Sequence, residues 1–516
     1  LFDIGLNLLN NTGIVSGQSE TCVCVGAMAI SRRLRMNLLG GAGRRRLAAN
    51  GGAWMTVWLR PCACACAAML TLIAGACAQT RLSQSAVQFV SPPAVEAANS
   101  SVDRIIGLRA KFDSLAGPEG QLRVLVVNGM ATDAHGYSFV TQSDVAEALG
   151  QPFCQSDLVI DLDRPRYTLG PNGGATEEFP PATLRITAWA ETQDAAPKLS
   201  FYEILWTPYA DEVTDRFLAR FETDVRFAFN PAWRACEGEP RRPSRDDRRA
   251  NDRERQPRAF LNAIIKDDVM VAGMTDAVLS VGPLGAAARD AIRQGLCIMA
   301  ADALEAPRRD PGDPRCQLTP ETLARYGGAQ GVAEHLDDHA FAMLTYSLGS
   351  FLLLDALDEF RLWPEDLGPA DLTCEIMPAL LDDTPVYMFS NQVSLLVTAH
   401  PQFGCDPETN CTIFGLIGGR RVLLRDPRDR GIAITPENAC RTRTRLQVIG
   451  FNDPNDIMGY RLPDYLAEAP LIGSVVNVRV RNPAFWVPGL LANPVAAHTN
   501  HGRNPVVRHV MIEGWP

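Results

Sequence analysis

Residues 122–130 read LRVLVVNGM. From Leu122 to Val127 the run is aliphatic except for Arg123, is rich in β-branched residues, and does not alternate between polar and apolar positions. A strand with one wet face would alternate. One that does not is buried on both faces, as interior strands of a parallel sheet are, and such a sheet needs helices on both sides. The Asn-Gly pair at 128–129 ends the run as a turn. RLQVIGF (445–451) is an equally clean strand. ATLRITAWAE (182–191), LSFYEILWTP (199–208, closed by Pro208) and VYMFSNQVSLL (386–396) are strand-like, and VVNVRVRN (475–482) alternates as a late or edge strand does.

Helical signals separate these strands. SDVAEALGQ predicts a helix with Ser143 as N-cap and Gly150 as its stop. Residues 210–229 are amphipathic, and a further helical stretch runs to Ala306. Strands separated by helices, with no internal repeat, predict an α/β fold with a mostly parallel sheet covered by helices. Two segments cannot contribute to that core. CEGEPRRPSRDDRRANDRERQPR (236–258) is nearly all charge, Pro and Gly and reads as an exposed insertion, and a second loop rich in Pro and Asp spans 307–320.

The net charge of −10 over 516 residues excludes a general nucleic-acid binder, which needs a basic face. With 46% apolar and 21% charged residues the composition is that of a globular protein.

The N-terminal part differs from the rest. Residues 1–54 carry RRLR and GRRRLAANGG without a sustained period and read as upstream read-through or disordered sequence. From Met55 the chain has a short positive region at Arg60, an apolar small-residue stretch from Cys62 to Ala76, and then Cys77. The stretch is too short to span a bilayer and is built like a secretory signal. Ala74-Gly75-Ala76 before Cys77 resembles the signal of a bacterial lipoprotein, which implies lipidation of Cys77 and a place in the cell envelope, lipid-anchored or periplasmic. Residues 78–102 then read as a tether, and the folded body is expected over 103–516. Eight cysteines follow Cys77, an even number that an exported chain can pair, with Cys405 and Cys411 across DPETN the nearest candidates. No CxxC pair or His-rich cluster in this region implies a metal site, and no cofactor motif is present.

The segment FAMLTYSLGSFLLLDAL (341–357) sets Ser347 between an apolar strand and an apolar helix. Small residues, Gly349 and Ser350, follow it. GFNDPNDIMGY (450–460) ends a strand in an acidic turn, and AHTNHGRNP (497–505) carries His498 and His501 in a polar loop. The order Ser, Asp, His, each after a strand signal, has the logic of an activated nucleophile, with an acid orienting a base.

These segments, with NGMATDAHGYS, FYEILWTP and MFSNQVSLL, resemble the α/β-hydrolases, in particular bacterial serine esterases of lipoprotein type. The resemblance spans roughly 122–505. Thr345 stands where the elbow G-x-S-x-G usually has Gly, and Asn128 where the H-G-x loop has His. The resemblance implies a carboxylic ester hydrolase acting on a small-molecule or lipid ester, without a cofactor. It implies Ser347 as nucleophile, Asp453 as acid with Asp456 as the alternative, and His498 as base with His501 as the alternative. His501, followed by Gly502-Arg503, is expected to be more exposed and mobile. The N–H groups of Leu348 and Met130 are the implied oxyanion hole. Residues 400–440 read as a lid or specificity loop, or else as a structural excursion closed by the Cys405–Cys411 pair. The rival reading is a catalytically silent hydrolase fold serving as an envelope scaffold.

Overall fold

The computed structural model describes residues 86–90, 104–130 except 118, 136–168, 176–212 except 209 and 211, 275–305 except 282–284, 324–359, 379–399, 446–482 except 469–471, 486–487, 491–492 and 494–516. These all belong to the unit Leu82–Pro516. The signal region with Cys77, the insertion 236–258, nearly all of the helix expected at 210–229, and the loop 400–440 with Cys405 and Cys411 lie outside the described residues.

Nine strands form the main sheet. In chain order they are β1 (Val87–Val90), β2 (Leu122–Val127), β3 (Phe153–Asp161), β6 (Thr183–Ala190), β7 (Leu199–Leu205), β8 (Ala340–Tyr346), β9 (Pro385–Phe389), β10 (Leu446–Asn452) and β11 (Ile472–Arg479). Two-stranded ribbons β4 (Arg166–Thr168) with β5 (Thr176–Glu178), and β12 (Trp486–Val487) with β13 (Leu491–Ala492), stand apart from it. The helices are α1 (Leu108–Asp113), α2 (Phe139–Ala148), α3 (Thr275–Val281), α4 (Gly285–Ala303), α5 (Ala329–Leu336), α6 (Gly349–Glu359), α7 (Val393–Ala399), α8 (Pro494–Thr499) and α9 (Pro505–Glu513).

The sheet order is β1-β11-β10-β9-β8-β2-β7-β6-β3. From β7 to β11 every neighbouring pair is parallel, while β6, β3 and β1 add antiparallel strands at the two edges. All six residues of β2 are buried. Leu125 and Val127 join the core on one face, with Ile292 and Leu296 of α4 and Phe351 and Leu352 of α6. Leu122, Val124 and Val126 join the core on the other, with Leu108 of α1, Val145 of α2 and Val510 of α9. Alternate side chains of a strand point to opposite faces, so a run buried throughout feeds two cores. Each such aliphatic side chain contributes about 1.5–3 kcal/mol by leaving water. Gly295 lets α4 lie close to the sheet, because a Cβ there would sit 2.5 Å from Ile204 Cδ1.

Four local expectations are corrected. Residues 87–90, read as part of a tether, form edge strand β1 on β11. That pairing makes β11 an interior strand, so of the late or edge alternatives only the first holds, β11 being the last main-sheet strand in chain order. Helix α2 starts at Phe139 with Ser138 at its N-cap, so Ser143 lies inside the helix, while Gly150 does end it with φ +73°. The segment 386–396 is not one strand. β9 stops at Phe389, and after Ser390-Asn391-Gln392 the chain enters α7.

The sheet order also reverses at one point. After β2 the chain's next parallel strand, β7, lies on one side, while β8, β9, β10 and β11 follow on the other. The order therefore reverses between β2 and β8. In open α/β sheets ligands bind outside the carboxyl ends of the strands at such a reversal. The residues that leave β2 and β8 there are Asn128-Gly129-Met130 and Ser347-Leu348.

Candidate active site

Ser347 has φ +50°, a conformation that costs a residue with a Cβ free energy. Its surroundings hold it there. The Ser347 N–H donates to Phe389 O of β9 at 2.8 Å, and Ser350 N–H donates back to Ser347 O at 3.1 Å as α6 begins. The turn is tight because β2 runs close by. A Cβ on Gly349 would lie 2.3 Å from Asn128 O, and one on Gly129 would lie 3.0 Å from Ser347 Cβ. Thr345, where Gly was expected, fits by a specific contact. Its hydroxyl and that of Ser350 are 2.8 Å apart, both fully buried, so the extra side chain ties the strand to the helix.

Ser347 Oγ lies 2.9 Å from His498 Nε2. His498 is carried by the short helix α8 rather than by an open loop. On its other side, Nδ1 is 2.9 Å from both carboxylate oxygens of Asp456. With Nδ1–H donating to Asp456, Nε2 is left to accept the Ser347 proton. Burial alone would raise the Asp456 carboxyl. The hydrogen bond and charge of His498, with the N–H groups of Met458 and Gly459, outweigh burial and hold it below the usual carboxylate value. Gly459 is needed for this, since a Cβ there would lie 2.1 Å from Asp456 Oδ2.

Asp453, the first-choice acid, does not reach His498. One oxygen accepts from the N–H and side-chain amide of Asn455 at 2.9 and 3.0 Å, the other from Asn482 N–H at 2.6 Å. Its own carbonyl accepts from Asp456 N–H at 3.0 Å. Asp453 therefore shapes the turn, and the turn moves the orienting carboxylate three residues on, to Asp456.

His501, expected to be exposed, is 1% exposed. Its Nδ1 lies 2.6 Å from Asn482 Nδ2 and 3.1 Å from Ser390 Oγ. Burial pushes its pKa down to about 4, with the carboxylates of Asp456 and Asp453 opposing and the charge of His498 adding to the fall. It is a neutral, structural ring beneath the segment that carries His498. Ser390, itself at φ +52°, donates to His498 O at 2.6 Å and completes that support. Sequence reasoning missed Ser390 and Asn482. For Ser390 the available signal was position, because it is a polar residue directly after an apolar strand, as Asn128 and Ser347 are, whereas Asn482 lies three residues past the end of β11 and carries no such signal.

Leu348 is fully buried behind Ser347, and Met130 lies just beyond Gly129. Met130 also touches α7's entry through its sulfur, which lies 3.8 Å from Gln392 Nε2. Among the described residues no cluster of three His, Cys, Asp or Glu side chains could hold a metal. Among them, no helix is long and apolar enough to cross a membrane. Cys154 and Cys297 are disulfide-bonded and lie against opposite faces of the sheet.

Comparison with protein-family models, with curated proteins and with solved structures finds no match.

Proposed function

We propose that this chain is a serine hydrolase of carboxylic esters with an α/β-hydrolase type of site. The observation that carries this reading is the continuous chain of 2.9 Å contacts from Ser347 Oγ through His498 to Asp456. A serine in a strained backbone turn, at the point where the sheet order reverses, supports it.

In this reading His498 Nε2 takes the Ser347 proton as Oγ attacks the ester carbonyl. Asp456 fixes the imidazole tautomer and stabilises the imidazolium that forms. The N–H groups of Leu348 and Met130 receive the oxyanion, where one donor is worth about 3 kcal/mol because charge grows there in the transition state. His498 then returns the proton to the leaving alcohol. Water, activated by the same ring, hydrolyses the acyl-enzyme.

An exported, lipid-anchored location through Cys77 belongs to the same proposal, and the disulfide-bonded Cys154 and Cys297 fit an oxidising compartment. The test is hydrolysis of a panel of p-nitrophenyl esters. Ser347→Ala is expected to lose several orders of magnitude in kcat while keeping its circular dichroism spectrum. A wild-type chain inactive on all esters would favour the silent scaffold.

A further inference from the structure

We infer that Asn128, held by Trp206, is the positioning residue that sets the Gly129–Met130 peptide for oxyanion binding. The inference rests on the ester-hydrolase reading and deepens it.

Asn128 leaves β2 at the reversal of strand order and is fully buried. Three hydrogen bonds fix it. Trp206 N–H donates to Asn128 Oδ1 at 3.2 Å, and Trp206 Nε1–H donates to Asn128 O at 3.1 Å. Asn128 Nδ2 then donates to Gly129 O at 2.8 Å. The side chain is thereby oriented by chemistry. Trp206 N–H requires an acceptor, so Oδ1 faces it, and the donor end of the amide is left for Gly129.

The carbonyl of Gly129 and the N–H of Met130 belong to one peptide plane and point in opposite directions when that peptide is trans. There are no cis peptides among the described residues. Holding Gly129 O toward the Asn128 amide therefore points Met130 N–H in the opposite direction, away from that amide. A flipped peptide would offer an oxygen where a donor is required.

The far end of the same loop is tied to β7, the strand that Trp206 directly follows. Glu203 of β7, also fully buried, accepts from Gly136 N–H at 2.6 Å, and from the N–H and hydroxyl of Ser138 at 3.3 and 2.5 Å. β7 and the residue after it thus hold the chain where it leaves β2 and where it enters α2.

The test is Asn128→Asp in the full chain. Asp keeps the acceptor for Trp206 but sets a carboxylate oxygen against Gly129 O. Expected for p-nitrophenyl butyrate is a fall in kcat of about 10²–10³-fold with KM little changed. Inhibition by an alkyl trifluoromethyl ketone, whose serine adduct carries an oxyanion, should weaken by a similar factor. If Asn128→Asp fails to fold, Trp206→Phe, which removes the indole donor together with part of a buried ring, should show the same kcat-selective loss at smaller size. An active wild type beside folded variants with unchanged kcat, or with losses confined to KM, overturns this assignment alone. A wild type that neither hydrolyses esters nor reacts with a fluorophosphonate overturns the hydrolase reading and this assignment with it.

Discussion

Removing His501 should change how stability depends on pH. In the folded chain burial pushes this histidine from 6.5 down to about 4. Below pH 6.5 the unfolded chain therefore takes up a proton that the folded chain refuses. The stability tied to the neutral ring is fully present above pH 6.5 and is lost as pH falls toward 4. The interval from 6.5 to about 4 corresponds to about 3 kcal/mol. His501→Asn cannot titrate. At pH 8 it should be destabilised by about 1–3 kcal/mol, because Ser390 and Asn482 lose a buried partner. As pH falls through the window, the gap between wild type and variant should narrow by about 1.4 kcal/mol per pH unit. His339, also pushed down by burial, to about 3, titrates in both proteins and cancels in the difference. Urea unfolding of both proteins at half-unit steps from pH 8 to 4.5 reads the gap directly. Parallel stability curves would show that His501 is not held neutral, and would leave only the contacts of His498 with Ser347 and Asp456 to separate the two histidines.

Four other substitutions probe the site. Asp456→Asn should lower kcat about 10⁴-fold, as loss of a base-orienting carboxylate does, whereas Asp453→Asn should lower stability and affect kcat far less. Single-mutant ester kinetics with the reverse ranking would return the acid to Asp453. Gly349→Ala should destabilise the chain by about 1–3 kcal/mol, since its Cβ would meet Asn128 O at 2.3 Å, and thermal unfolding measures this. Gly459→Ala should lower kcat by displacing the Asp456 carboxylate, with which its Cβ would collide at 2.1 Å; unchanged ester kinetics would show that the loop adjusts freely.

The parallel part of the sheet was legible because its strands advertise themselves. β2 and β10 are nearly all apolar, and only burial on both faces explains such runs. Ser347 was legible for a related reason, as a hydroxyl placed between two segments that must both be buried. The edges were harder to read. VQFV of β1 is four residues long in a polar, Pro-containing stretch, and its strand character comes from pairing with β11 rather than from its own composition. Asp453 was placed ahead of Asp456 as the carboxylate to meet His498 because the two belong to one turn. Local sequence makes both good turn formers, and only the approach of Asn482 and His498 from distant segments assigns each its partner. His501 looked exposed because Gly502 and Arg503 follow it. Its burial depends on Ser390, Asn482 and the ring of Phe389, none of them sequence neighbours.

The most direct measurement of the central claim is covalent labelling of the native chain with a fluorophosphonate, followed by peptide mapping. An activated serine attacks the phosphorus and displaces fluoride, while an ordinary surface serine does not. The expected result is one phosphonylated residue, Ser347, with labelling lost in Ser347→Ala and strongly reduced in His498→Ala. Absence of labelling in a folded wild-type chain, or a label on a different serine, would contradict the assignment.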